Sequence, residues 1–156
     1  MKILDIIVCD DIRQEQGNKI TAVGMYEDIN LNMEVTPKDS TSAKTIPPIP
    51  PVMIPLAILI RVEIENESDR EFTKHKFEAF LNGNSILTIE GDMKIGTGKY
   101  FRIIYPKSPF NIEKDGRVQF VLSFRKNNGE SIELKPEYGP RFTRHIQVKE
   151  PMSISS

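Results

Sequence analysis

LAILIRVEIE, residues 56–65, decides the fold class. Leu56, Ile58, Ile60, Val62 and Ile64 fall on one side of an extended chain, and Arg61, Glu63 and Glu65 fall on the other. A period of two is the pattern of a half-buried strand, whereas an amphipathic helix repeats every three to four residues. Three other segments carry the same alternation. Val118, Phe120, Leu122 and Phe124 alternate with Gln119, Ser123 and Arg125. Phe142, Ile146 and Val148 alternate with Thr143, His145 and Gln147, and Ile29, Leu31, Met33 and Val35 with Asn30, Asn32 and Glu34.

Turn chemistry separates these runs. Gly17-Asn18 reads as a two-residue hairpin loop, Asn82-Gly83 as a type I′ pair with positive φ at both residues, and Asn128-Gly129 as a third turn. Asp115-Gly116 turns the chain before another strand. No segment shows a helical face. Short strands at this spacing, about eight or nine of them, predict an all-β, single-domain antiparallel sandwich of the immunoglobulin-like or a related Greek-key kind.

The whole chain has 156 residues, 38% of them hydrophobic and 28% charged, with a formal net charge of -1. That suits one globular domain over residues 1–150 and gives no basic excess to attract nucleic acid or anionic lipid. The opening MKILDIIVC is interrupted by Asp5 and ended by Asp10 and Asp11, so it does not read as a signal peptide. No stretch is apolar for long enough to predict a membrane span. Cys9 is the single cysteine, which excludes an intrachain disulfide and suggests a reducing, cytoplasmic setting. The sequon Asn66-Glu67-Ser68 has no glycosylation meaning there.

Residues 36–55, TPKDSTSAKTIPPIPPVMIP, form a polar then proline-rich stretch. Its prolines predict a stiff, polyproline-like strap outside the hydrogen-bonded ladder, crossing between sheets and covering an open core edge. A proline-recognising partner is the alternative use. Residues 151–156 are expected to fray.

The candidate site is CDDIRQEQGNKITAVGMY, residues 9–26. Paired across Gly17-Asn18, Asp11 would face Gly24, Arg13 would face Ala22 and Cys9 would face Tyr26. Asp11, Arg13 and Glu15 then form a row of alternating charge over small residues, with Arg13 able to reach either carboxylate. Asp10 falls on the apolar side and needs hydrogen-bond partners there. The cluster Asp10, Asp11, Arg13, Glu15, Gly24 and Tyr26 reads as structure or as a binding site. Its hard oxygen ligands suit a divalent cation, but adjacent strand residues point to opposite faces and Arg13 repels a cation. No metal, cofactor or catalytic residue is assigned.

The same residues resemble the opening motif of a family of uncharacterised bacterial proteins, in which C/A-D-D-I/V-R-x-E-x-G-x-K is followed by a strand ending in glycine and an aromatic or methionine. Cys9, Asp10, Asp11, Arg13, Glu15, Gly17, Lys19, Gly24 and Tyr26 carry the likeness. It covers the first hairpin and implies no activity. EKDGRVQFVLSF is similar to late strands of immunoglobulin-like sandwiches in style only, since the chain has no tryptophan and no cysteine pair.

Other motifs carry less. GTGK at Gly96–Lys99 lacks the spacing of a phosphate-binding loop and is followed by a strand from Tyr100. His75 is in phase with Phe77 and Leu81, which predicts a partly buried, hydrogen-bonded imidazole; His145 is the other histidine. Cys9 in an apolar strand predicts a buried, inert thiol. These features favour a non-catalytic module that binds a protein partner or itself. The rival is a small-molecule or divalent-metal-dependent enzyme centred on the Asp10–Glu15 row.

Overall fold

A computed structural model describes residues 1–35 and 49–148. Most of the predicted strap, residues 36–48, and the predicted tail fall outside them. The described residues form ten strands: β1 (Lys2–Gln14), β2 (Ile20–Met25), β3 (Asp28–Val35), β4 (Val52–Glu63), β5 (Phe72–Leu81), β6 (Asn84–Asp92), β7 (Tyr100–Ile112), β8 (Gly116–Lys126), β9 (Ser131–Glu133) and β10 (Glu137–Val148). Their helical content is two short 3-10 segments, Gln16–Asn18 and Glu67–Glu71. One sheet has the order β2-β1-β4-β7, the other β3-β10-β8-β5-β6, with β9 on the same edge of β8 as β10. The fold is an all-β sandwich. It has more strands than the turn signals suggested, because β9 is only three residues long. Pairing is antiparallel except between β3 and β10, which run parallel.

The quoted alternation closes the core. Leu56, Ile58, Ile60, Val62 and Ile64 are all buried, and they meet Phe77, Phe120, Leu122 and Phe124 of the opposing sheet. Tyr105 of β7 stacks across the sheets on Phe77 of β5 at 5.2 Å, and within the second sheet Phe77 meets Phe120 of β8 at 5.3 Å. Such pairs add to the stabilisation from apolar burial. β4 is more than half-buried, since Ala57 and Leu59 on its other face are buried too, beside Cys9 and Ile7 of β1 and Ile104 of β7.

The end of the proline stretch corrects the sequence reading. Val52–Pro55 belongs to β4 and is in register with β7, Pro55 facing Pro109. β1 pairs with β4 only as far as Cys9/Ala57. At Pro55 the strand therefore has a neighbour on one side only, and a residue without N–H is tolerated.

Two turns were legible. Asn82 and Gly83 join β5 to β6 with φ of 52° and 81°, as a type I′ turn requires. Gly129, at φ 91°, lies in the loop between β8 and β9.

Cys9 is fully buried, as its apolar context predicted. Its Sγ contacts the carbonyl oxygens of Asp11 at 3.4 Å and Ala57 at 3.7 Å. Burial pushes its pKa up, and the nearby Asp10 and Asp11 charges act in the same direction. A thiol reagent is expected to label Cys9 slowly in native protein and rapidly in denaturant. Fast labelling of the native state would contradict this burial.

Candidate functional site

The first hairpin is built one residue out of the register read from the sequence. Its turn is not a two-residue loop. Gln16–Asn18 make a 3-10 turn with Gly17 at φ 76°, closed by a bond from Glu15 N–H to Lys19 O of 2.9 Å. The observed pairs are Cys9/Met25, Asp11/Val23, Ile12/Ala22 and Arg13/Thr21. A one-residue slip moves every side chain of β2 to the other face. Asp11 therefore faces Val23 rather than Gly24, and Arg13 faces Thr21 rather than Ala22. Val23 and Met25 are exposed at 38% and 68%.

The six candidate residues divide into two groups. Asp10 falls opposite Gly24 in this register, and the Tyr26 hydroxyl donates to Asp10 Oδ1. The Asp10 bond raises the Tyr26 pKa above its ordinary value, with burial and the Asp10 charge adding to it. Gly24, at φ 66°, provides the space: a Cβ there would lie 2.2 Å from Asp10 Oδ2. Asp10 is thus exposed rather than set on an apolar side, and its partner is the Tyr26 phenol.

On the opposite face Arg13 Nε donates to Asp11 Oδ2 at 3.3 Å. Glu15 is taken by Thr21, whose Oγ1 donates to Glu15 Oε1 at 2.6 Å. The structure joins Arg13 to one of its two flanking acids. Both partners are well exposed, so Arg13→Ala should cost less than about 1 kcal/mol in a thermal melt. Gly24→Val should cost more, about 2 kcal/mol, from left-handed backbone strain and displacement of Asp10. A melt that ranks the two in the reverse order would contradict the close packing of Asp10 on Gly24.

Tyr26 also fixes where the chain goes next. Its N–H donates to Val8 O at 2.9 Å, and Glu27 O accepts from Arg141 N–H at 3.0 Å. Residues 26–27 thereby carry the chain from the edge of one sheet to the edge of the other, where β3 begins. β3 matches β10 residue for residue, from Asp28/Arg141 to Val35/Val148, with no shift. It contains no proline, glycine or lysine. Ile29 is buried and Leu31 packs against the core, while Asn30 and Asn32 are exposed. His145 Nε2 donates to Asn30 Oδ1 at 3.2 Å. Among the described residues no strand pairs with the outer edge of β3. The other sheet's edges are interrupted, β2 by Gly24 and β7 by Pro106, Lys107 at φ 41° and Pro109.

His75 departs from its reading. It is partly buried, 5.8 Å from the Tyr105 ring, but its Nδ1 has no hydrogen-bond partner among the described residues. Burial lowers its pKa, against a small opposing pull from Asp92. Gly96 and Gly98 lie in a loop, with Arg70 Nη1 donating to both carbonyls. Among the described residues no three His, Cys, Asp or Glu side chains converge as metal ligands, and no helix is long and apolar enough to cross a membrane.

One group escaped the sequence reading. The Met1 amine pairs with Asp69 Oδ2 at 2.9 Å and Glu65 Oε2 at 3.0 Å. Asp69 is buried and also accepts the N–H of Asn66 at 3.0 Å and of Glu65 at 3.1 Å. Asn66-Glu67-Ser68-Asp69 is a capping box, and that spacing was visible in the sequence. No family model matches the chain, and no match is found among curated proteins.

Proposed function

We propose that this protein is a non-catalytic assembly module that adds a strand from a second copy to the outer edge of β3. The observation that carries the reading is the eight-residue regular edge. An unpaired row of N–H and C=O groups is a template for another strand, and edges are usually protected by proline, lysine or a bulge. β3 has none of these.

A two-fold axis at Asn32 would pair the copies antiparallel, with Leu31 opposite the partner's Met33 and Glu34 opposite the partner's Asn30. No acid then faces an acid, and both cores stay on the same side of the continuous sheet. Cys9, a buried free thiol, suits the cytoplasmic setting that belongs to this reading. The likeness of residues 9–26 to a bacterial family adds no chemistry to it. The Asp10–Glu15 row gives no observation in favour of an enzyme, since Asp10 and Asp11 lie on opposite faces and are engaged by different partners.

Light scattering across a concentration series tests the proposal. The native chain should reach the mass of a dimer. Asn32→Lys, which places a charge opposite its own copy, should remain a monomer with an unchanged far-UV spectrum. A native chain that stays monomeric throughout, or an Asn32→Lys dimer as tight as the native one, would overturn it.

A further inference from the structure

The outer face of the β3-containing sheet holds a groove of about 430 Å³, the size of a small-ligand site. It lies across β6, β5, β8 and β9, away from the β3 edge. Pairing sets its floor: Asp92 faces Lys74, Lys74 faces Arg125, and Arg125 faces Ser131. The next row brings Glu90 opposite Lys76 and Lys76 opposite Ser123.

The charges in this groove are not neutralised in the way their positions would allow. Lys74 and Arg125 are like charges on directly facing residues, an arrangement that repels. Neither makes an ion pair among the described residues, although Asp92 is Lys74's cross-strand neighbour. Lys76 turns along its own strand to Glu78 at 2.9 Å, so that among the described residues Glu90 makes no ion pair and only its charge acts on Lys76. The result is two poles. A cationic pole, Lys74 and Arg125, is flanked by the hydroxyls of Ser123 and Ser131. An anionic pole, Glu90 and Asp92, lies on the β6 side. β6 and β8 are two strand spacings apart, about 10 Å.

We infer that this groove binds a small zwitterion of short-peptide length. Its carboxylate would meet Lys74 and Arg125, with Arg125 offering a bidentate fork, and its ammonium would meet Glu90 and Asp92. An extended tripeptide separates its terminal charges by about 10 Å, which matches the span from Asp92 on β6 to Arg125 on β8, with Lys74 on β5 between them. A simple anion would satisfy only one pole and would be repelled by the other.

Triglycine is the probe. Added to the native protein at millimolar concentration, it should shift the backbone amide resonances of Lys74, Gly91, Ser123, Arg125 and Ser131 together. N-acetyltriglycine, which lacks the ammonium, and triglycinamide, which lacks the carboxylate, should each bind about tenfold or more weakly. Arg125→Gln, an exposed substitution that leaves the core intact, should weaken triglycine by a similar factor. Absence of these shifts with triglycine, equal binding of either capped peptide, or Arg125→Gln binding as the native chain does would overturn the inference. None of these outcomes depends on whether β3 pairs with a second copy.

Discussion

Gly139→Ala is expected to cost about 3 kcal/mol of stability, the upper part of the range for overfilling a packed core. A Cβ on Gly139 would lie 2.2 Å from Phe120 Cε2 and 2.6 Å from Cζ. The Phe120 ring is fully buried and held against Phe77, so it has nowhere to move. β10 needs this close approach because its register with β8 shifts between Tyr138 and Arg141. Arg117 Nε fixes the same point by donating to Gly139 O at 3.2 Å. Gly96→Ala is the control, since a Cβ there meets open space. Urea denaturation of both variants measures the difference. A loss at Gly139 no larger than at Gly96 would mean that β10 can retreat from the ring.

Asp69→Ala should be comparably damaging, again about 3 kcal/mol, because it leaves two backbone amides and an amine without their main acceptor. The pH dependence adds a second signature. Burial works against ionising Asp69, but the Met1 amine and the amides of Asn66 and Glu65 outweigh it and hold the carboxyl below its ordinary value. Its contribution is therefore complete above about pH 4, the unfolded value, and is lost as pH falls through the lower folded value. Burial also works against the charged amine, but its bonds to Asp69 and Glu65 prevail and raise its pKa. That contribution is complete below about pH 8 and is lost as pH rises through the folded value. The stability difference between native chain and Asp69→Ala, followed by urea melts across pH, should show a plateau between these limits and shrink on both sides. A flat difference from acid to alkaline pH would disprove the linkage.

The strands and most turns were legible because their signals are local. Alternation at Leu56–Ile64 and Val118–Phe124 identified core faces, and Asn82-Gly83 announced its own turn type. The first hairpin failed at one residue. Gly17 suits a two-residue loop and a left-handed position in a longer turn equally well, and the choice between them reverses a face. That error placed Gly24 opposite Asp11, when it makes room for Asp10. Prolines near residue 55 were read as excluded from the ladder, because sequence does not show that β4 lacks a neighbour there. The groove was invisible for a related reason. Lys74 and Arg125 lie about 50 residues apart in a chain whose strand spacing fixes their approach, and only the pairing of β5 with β8 brings them together.

β10 sits between β3 and β8, so the sheet joins residues 28–35 to residues 141–148. On a ribosome, β3 is made early and must wait for almost the whole of the described chain before its neighbour emerges. Parallel pairing over that separation closes a very long loop, which makes folding slow and leaves an apolar strand open during synthesis. The last step of folding is then insertion of β10, which brings β3 into the sheet. A nascent chain stalled before residue 137 should be protease-sensitive through β3, and it should gain protection abruptly once residues 137–148 have cleared the exit tunnel.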